Sequence, residues 1–271
     1  MKYIKMAFNY FSMKKFLQLI IVAAVPAVAF TLISPISSIS DFLINYDKMD
    51  LTNFNTIFSS VSEFRFNKIG QILPLIFVVI IFLTEIFGIV ERDMRVADFT
   101  LRGFFRRFNN NVFAVSLTVI ILMSSILIMG LLSTAFFLLW AVLLGTTAAH
   151  IFSVITSLIV FALLVIIWVN FFLLVPNMII TGQSVFSCMR DSIRQTQGIV
   201  SRLIAAILLP LIPAFLLIYL ERIFALNIKF VINVIIIDLL IVYYVVLMLV
   251  VHYDVTGLSR EDLKPSSRYF R

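Results

Sequence analysis

Residues 112–175 read VFAVSLTVIILMSSILIMGLLSTAFFLLWAVLLGTTAAHIFSVITSLIVFALLVIIWVNFFLLV, a run almost free of charge in which only His150 is ionisable. At ~1.5 Å of rise per residue a single helix of this length would far exceed a bilayer, so the run holds two spans or three. Two spans, about Val112–Ser133 and Ile151–Val175, leave Thr134–His150 as an apolar connector. Trp140 there suits a membrane interface and Gly145 a turn. Three spans would reverse the side of everything downstream.

Charge decides between them. With two spans, the inner segments carry four Lys and Arg in residues 1–15, five in 91–111, three in 176–202 and four in 253–271, against three in 35–68 and two in 221–230. Basic residues collect on the cytoplasmic side of membrane proteins, so the asymmetry favours six spans with both termini inside. The rest of the composition agrees. Of the residues, 62% are hydrophobic and 13% charged, with a mean hydropathy of +1.11. A soluble chain of this length has no core large enough to hide that much apolar surface. The apolar runs are continuous rather than alternating with period two, which points to helices and not a barrel. The fold class expected is all-α: a polytopic membrane protein of six transmembrane helices with short cytoplasmic amphipathic helices.

The net charge of +7 then reads as cytoplasmic loops meeting anionic headgroups, not as a nucleic-acid surface. Cys188 is the single cysteine, which excludes an intramolecular disulfide and a cysteine metal cluster. His150 and His252 lie far apart in sequence. No cofactor and no metal site is expected.

The expected spans are 16–34, 69–90, 112–133, 151–175, 203–220 and 231–252, a single transmembrane domain over residues 1–252 with a mobile cytoplasmic tail at 253–271. In Met1–Lys15, Ile4, Phe8 and Phe11 share one helical face opposite Lys2, Lys5, Asn9 and Ser12, the pattern of a helix lying on the membrane. Ala27-Val28-Ala29 resembles a signal-peptide cleavage site. The apolar run continues past it to Ile33 and the preceding region is long and amphipathic, so a retained helix is expected. Pro35–Lys68 is a polar, acidic-leaning loop suited to the outer side. In Glu91–Asn111 the residues Met94, Ala97, Leu101, Phe104 and Phe108 oppose Arg92, Arg95, Arg102, Arg106 and Arg107, giving a second interfacial helix. Pro210 and Pro213 bend the fifth span.

A third amphipathic piece is Ser184–Gly198, SVFSCMRDSIRQTQG. Phe186, Met189 and Ile193 recur at helical spacing, with Arg190, Arg194 and Gln197 opposite; Ser184 suits its start and Gly198 its end. Each of the three pieces precedes a helical hairpin. Setting Pro26 against Pro210 brings LQLIIVAAVP over SRLIAAILLP, so the chain reads as one unit used three times in parallel.

VPNMIITGQSVFSCMRDSIRQTQGIVSRLI, residues 175–204, resembles a feature of a broad group of bacterial six-span proteins. The group includes the membrane domain attached to some glycerophosphoryl diester phosphodiesterases and the YciC-like integral membrane proteins. There, a proline-containing segment ends a span and is followed by a helix of the form A-hydrophobic-R-x-S-hydrophobic-x-x-T-x-G. Met189, Arg190, Ser192, Ile193, Thr196 and Gly198 occupy those places, and Cys188 stands where alanine is common. The resemblance implies a bacterial cell-membrane location and no established activity; the phosphodiesterase catalytic domain has no counterpart in this sequence.

Ionisable groups inside a span are costly and so are functional candidates. Glu85 is expected ~7 Å inside the cytoplasmic end of the second span, with Asn170 at similar depth and within reach of a shared hydrogen bond. The competing reading has Glu85 pairing with Arg92 or Arg95. Asp238 is expected ~10 Å inside the outer end of the sixth span, with Arg222 and Lys229 as candidate partners and Asn233 one turn nearer the surface. Arg95, Arg102, Arg106, Arg107, Arg190 and Arg194 are candidates for contacting lipid headgroups or a partner protein. Ser192 and Thr196 have no His or acidic partner at catalytic spacing, which argues against nucleophilic catalysis. The expected role is non-enzymatic: membrane organisation, lipid handling or transport assistance. The rival readings are a permease subunit working with a separate ATPase and an intramembrane lipid-modifying enzyme. The partners expected are membrane lipids, with a cytoplasmic or membrane protein second and no nucleic acid.

Overall fold

The computed structural model describes residues 2–33, 58, 69–99, 108–144, 146–223 and 228–263. Among them the secondary structure is helical, without strands. The elements are α1 (Lys2–Tyr10), α2 (Met13–Ile33), α3 (Ile69–Val96), α4 (Phe108–Leu144), α5 (Thr146–Asn170), α6 (Leu174–Thr181), α7 (Val185–Thr196), α8 (Val200–Leu208), α9 (Leu211–Ile223), α10 (Lys229–Thr256) and a closing 3-10 turn, Glu261–Leu263. Six helical stretches are long and apolar enough to cross a membrane: Met13–Ile33, Gly70–Val96, Asn111–Leu144, Val154–Thr181, Val200–Leu217 and Phe230–Thr256. The chain is a multi-pass membrane protein.

The apolar connector expected at Thr134–His150 is helix instead. α4 runs to Leu144 and α5 starts at Thr146, with Gly145 outside the described residues. Residues 134–144 are mostly Ala, Leu and Phe with no proline or glycine, so nothing stops the helix before Gly145. Two side-chain bonds pin the α4–α5 hairpin: Ser157 Oγ to Ser133 Oγ, 3.0 Å, and Trp168 Nε1 to Ser125 Oγ, 3.2 Å. Trp140 packs on Phe152 near the hairpin's tip, centroids 5.2 Å apart.

Residues Glu91–Val96, expected to open a separate interfacial helix, continue α3 without a break; Glu91, Asp93 and Met94 are buried. The helix ends where Ala97 takes a left-handed φ of 52°. Arg102, Arg106 and Arg107 lie outside the described residues. So does the rest of the stretch 100–107 in the middle amphipathic piece.

α10 is the centre of the bundle, packing on α1, α2, α3, α6 and α9. It runs on past the expected end at His252 to Thr256, where Gly257 closes it with a φ of 68°. The tail does not simply leave. The 3-10 turn packs on α3, and Arg260 and Asp262 form a nearly buried pair at 2.7 Å. Residues 264–271 lie outside the described set. At the same end of the bundle Lys15 Nζ reaches Asp93 at 2.5 Å, with the Tyr10 ring 4.9 Å and the Phe99 ring 5.7 Å from the ammonium. Burial first, and then the charge of Asp93, hold the Tyr10 phenol well above its ordinary range.

Two spans are broken. The fourth stops at Asn170, turns through 171–173 and resumes as α6; the fifth stops at Leu208 and resumes at Leu211. The second break sits at Pro210, as the sequence predicts. The first has no proline within it, and Pro176 falls in the opening turn of α6, where a missing N–H costs little.

Candidate functional site

α7 is built on the first break. Continuing α5 as a regular helix would bond Leu173 N–H to Val169 and Leu174 N–H to the carbonyl of Asn170. The turn gives both partners up: Phe172 N–H takes Val169 O at 3.3 Å and Leu174 N–H takes Phe171 O at 3.0 Å. Ser192 of α7 fills both vacancies. Its Oγ accepts from Leu173 N–H at 3.2 Å and donates to Asn170 O at 2.8 Å. Asn177 Nδ2 of α6 donates back to Cys188 O at 3.5 Å, and Thr196 Oγ1 closes on Ser192 O at 2.9 Å.

Cys188, Ser192 and Thr196 are therefore the fully buried face of α7. They recur every four residues, one helical face. The apolar residues at helical spacing divide: Phe186 is 83% exposed, and Met189 and Ile193 are half-buried. α1 divides in the same way. Tyr3, Ala7 and Tyr10 are buried, whereas Phe8 is 61% exposed and Ile4 and Phe11 are half-buried. The cause is that a membrane protein offers two apolar media. Small or hydrogen-bonding groups allow close approach to other helices, and large apolar side chains are equally satisfied by lipid. Ser184 takes the extended backbone of an N-cap, but its hydroxyl meets Ser187 Oγ at 3.1 Å rather than a helix N–H. The helix ends at Thr196, and Gly198 lies in the turn before α8.

The remaining faces of α7 divide again. By helical angle, Phe186 stands next to Arg190, about 40° around the axis, and Arg194 lies about 40° further on. Gln183, Ser187, Arg190, Asp191, Arg194 and Gln197 surround an open depression of about 820 Å³ on this outward side. Among the described residues neither arginine has a carboxylate partner. Lys2, Lys15, Arg92, Arg95 and Arg260 each do: Asp254, Asp93, Asp98, Glu91 and Asp262 respectively. Burial pushes the Cys188 thiol upward from its ordinary value, with only a partial offset from Thr181. It serves as a small packing group against Gln183 O, 3.7 Å away.

The intramembrane candidates are not brought together. Glu85 is 4% exposed on α3, and its Oε1 has no hydrogen-bond partner. It pairs with neither Arg92 nor Arg95, whose nearer acids, Asp98 and Glu91, take them. Asn170 donates to Ile166 O of its own helix at 3.0 Å, not to Glu85. One turn beyond Glu85, Gly88 admits Asn111, whose Nδ2 lies 3.5 Å from where a Cβ at 88 would sit. Asp238 is buried at 7% exposure with Oδ1 unpartnered, and Asn233 is buried on the same helix. The side chains of Arg222 and Lys229 lie outside the described residues. No hydrogen bond joins any two of Glu85, Asn170 and Asp238.

Sequence reasoning missed the second repair. Pro210 has no N–H to offer Ala206 O, and Tyr243 Oη of α10 donates to it at 2.9 Å; Tyr244 Oη donates to Ile207 O at 2.7 Å. The signal was a tyrosine pair in one span facing a proline in its neighbour, which becomes readable only once the two helices are known to touch. Comparison with family models, curated proteins and solved structures finds no match.

Proposed function

We propose that this chain is a non-enzymatic protein of the bacterial cell membrane, with both termini cytoplasmic, that organises or handles anionic lipid through its surface helices α1 and α7. The observation that carries the reading is the pair of uncompensated arginines, Arg190 and Arg194, on a helix whose neighbouring Phe186 is 83% exposed. A large apolar side chain beside two free cations fits the boundary between acyl chains and phosphates. The resemblance around residues 175–204 and the surplus of Lys and Arg in the inner segments support the same location. Three groups expected of an intramembrane enzyme, Glu85, Asn170 and Asp238, share no hydrogen bond, which favours the non-enzymatic reading over the lipid-modifying one.

Two measurements test it. Reconstituted into phosphatidylcholine nanodiscs with and without an anionic phospholipid, the protein is expected to melt several degrees higher when the anionic lipid is present. Equal melting in both sinks the lipid reading. Single cysteines placed at Gln197 and Gly257 in a Cys188→Ala background are expected to react with an impermeant thiol reagent from the same, inner side. Labelling from opposite sides sinks the orientation.

A further inference from the structure

We propose that the outward face of α7 seats one anionic phospholipid, its phosphate held between Arg190 and Arg194 and its headgroup bearing hydroxyls rather than a second negative charge. The proposal rests on the lipid-handling reading above and names the ligand of that site. Arg190 and Arg194 are one turn apart, so both guanidinium forks reach a single phosphate. Neither is neutralised from within, in contrast to Lys2, Lys15, Arg92, Arg95 and Arg260. Lys5, Lys14 and Arg202 also lack a carboxylate partner among the described residues; the pair on α7 is set apart by lining one depression together.

The other walls of the depression narrow the headgroup. Gln183, Ser187 and Gln197 present amide and hydroxyl groups, which donate to and accept from alcohols. Asp191 adds an acceptor carboxylate to the same lining. It welcomes a headgroup hydroxyl and repels a carboxylate or a doubly charged monoester, so a polyol phosphodiester such as phosphatidylglycerol fits better than phosphatidylserine or phosphatidic acid. Phe186 decides the source of the phosphate. Standing about 40° around the helix from Arg190 and 83% exposed, it needs acyl chains beside the phosphate site, and a free phosphate ion offers none. Behind the site, Ser192 joins α7 to the break in the fourth span, so the seat is held rigidly against the bundle.

The test is native mass spectrometry of the intact protein released from mixed-lipid nanodiscs. Phosphatidylglycerol is expected to stay bound about tenfold more than phosphatidylcholine, and several-fold more than phosphatidylserine or phosphatidic acid. The double variant Arg190→Gln/Arg194→Gln loses that retention about tenfold while its melting in detergent stays that of the parent. Asp191→Asn narrows the gap between phosphatidylglycerol and phosphatidylserine, and Phe186→Ser weakens retention of both. Unchanged retention in the double variant, with a general anionic preference intact, overturns this site and leaves the broader reading standing. Loss of all anionic preference in the parent overturns both. Displacement of the lipid by an equal concentration of inorganic phosphate, or indifference to Phe186→Ser, overturns the choice of a lipid.

Discussion

The two broken spans solve one problem in different ways. Each interrupts a helix in surroundings where water is scarce, and each exposes backbone groups that need partners. The fourth span borrows Ser192 from a surface helix, and one hydroxyl serves a donor and an acceptor at once. The fifth borrows Tyr243 and Tyr244 from a neighbouring span, each serving one carbonyl. The first repair ties the bundle to α7 and therefore to the face that carries Arg190 and Arg194. The second ties the bundle only to itself.

The contrast can be broken most directly at Ser192. Ser192→Ala strands both Leu173 N–H and Asn170 C=O in a buried site and is expected to cost about 2–4 kcal/mol, since each unsatisfied group costs ~1–3 kcal/mol. Chemical denaturation in detergent measures it, and a loss below about 1 kcal/mol would show the bridge to be idle. Tyr243→Phe/Tyr244→Phe removes two bonds but leaves only carbonyls behind, which retain lone pairs for other contacts; about 1–3 kcal/mol is expected in the same assay.

Pro210→Ala sharpens the comparison. Restoring an N–H at 210 gives Ala206 O an alternative partner, so the cost of Tyr243→Phe is expected to fall by about 0.5–1 kcal/mol in that background. Additive effects would mean that Tyr243 and the break are unrelated. No substitution at Ser192 has a matching rescue, because no proline causes the first break. Smallest of all is Arg190→Gln/Arg194→Gln in detergent without added lipid. Both side chains are exposed and unpaired, so a change within about 0.5 kcal/mol is expected. A larger loss would assign them to the fold and not to a ligand.

The α1 and α7 surface helices show how far sequence carries. Periodicity placed both, and it marked Phe8 and Phe186 as members of apolar faces. It reads an amphipathic pattern of this kind as a helix lying on the membrane, and is silent on which residues meet the bundle. In both helices the protein takes the small and polar-tipped residues, Tyr3, Ala7 and Tyr10 in one and Cys188, Ser192 and Thr196 in the other. The sequence argues against Ser192 and Thr196 as nucleophiles, since no His or acid stands at catalytic spacing, and gives them places in the family-like pattern without a physical role. Their role is architectural, and it depends on a break about twenty residues upstream that contains no proline or glycine of its own. The places held by Cys188, Ser192 and Thr196 in the family-like pattern all lie on this buried face, which gives that pattern a packing rationale.

From its residues alone the chain is a helical, multi-pass membrane protein: long uncharged runs leave backbone groups no partner but their own helix, and the length of those runs together with the charge between them counts the crossings. Which side chain completes which interrupted helix was decided only by the tertiary structure. A hydroxyl on α7 or α10 is chemically the same wherever it points, and only packing brings it within 3.2 Å of an orphaned backbone group.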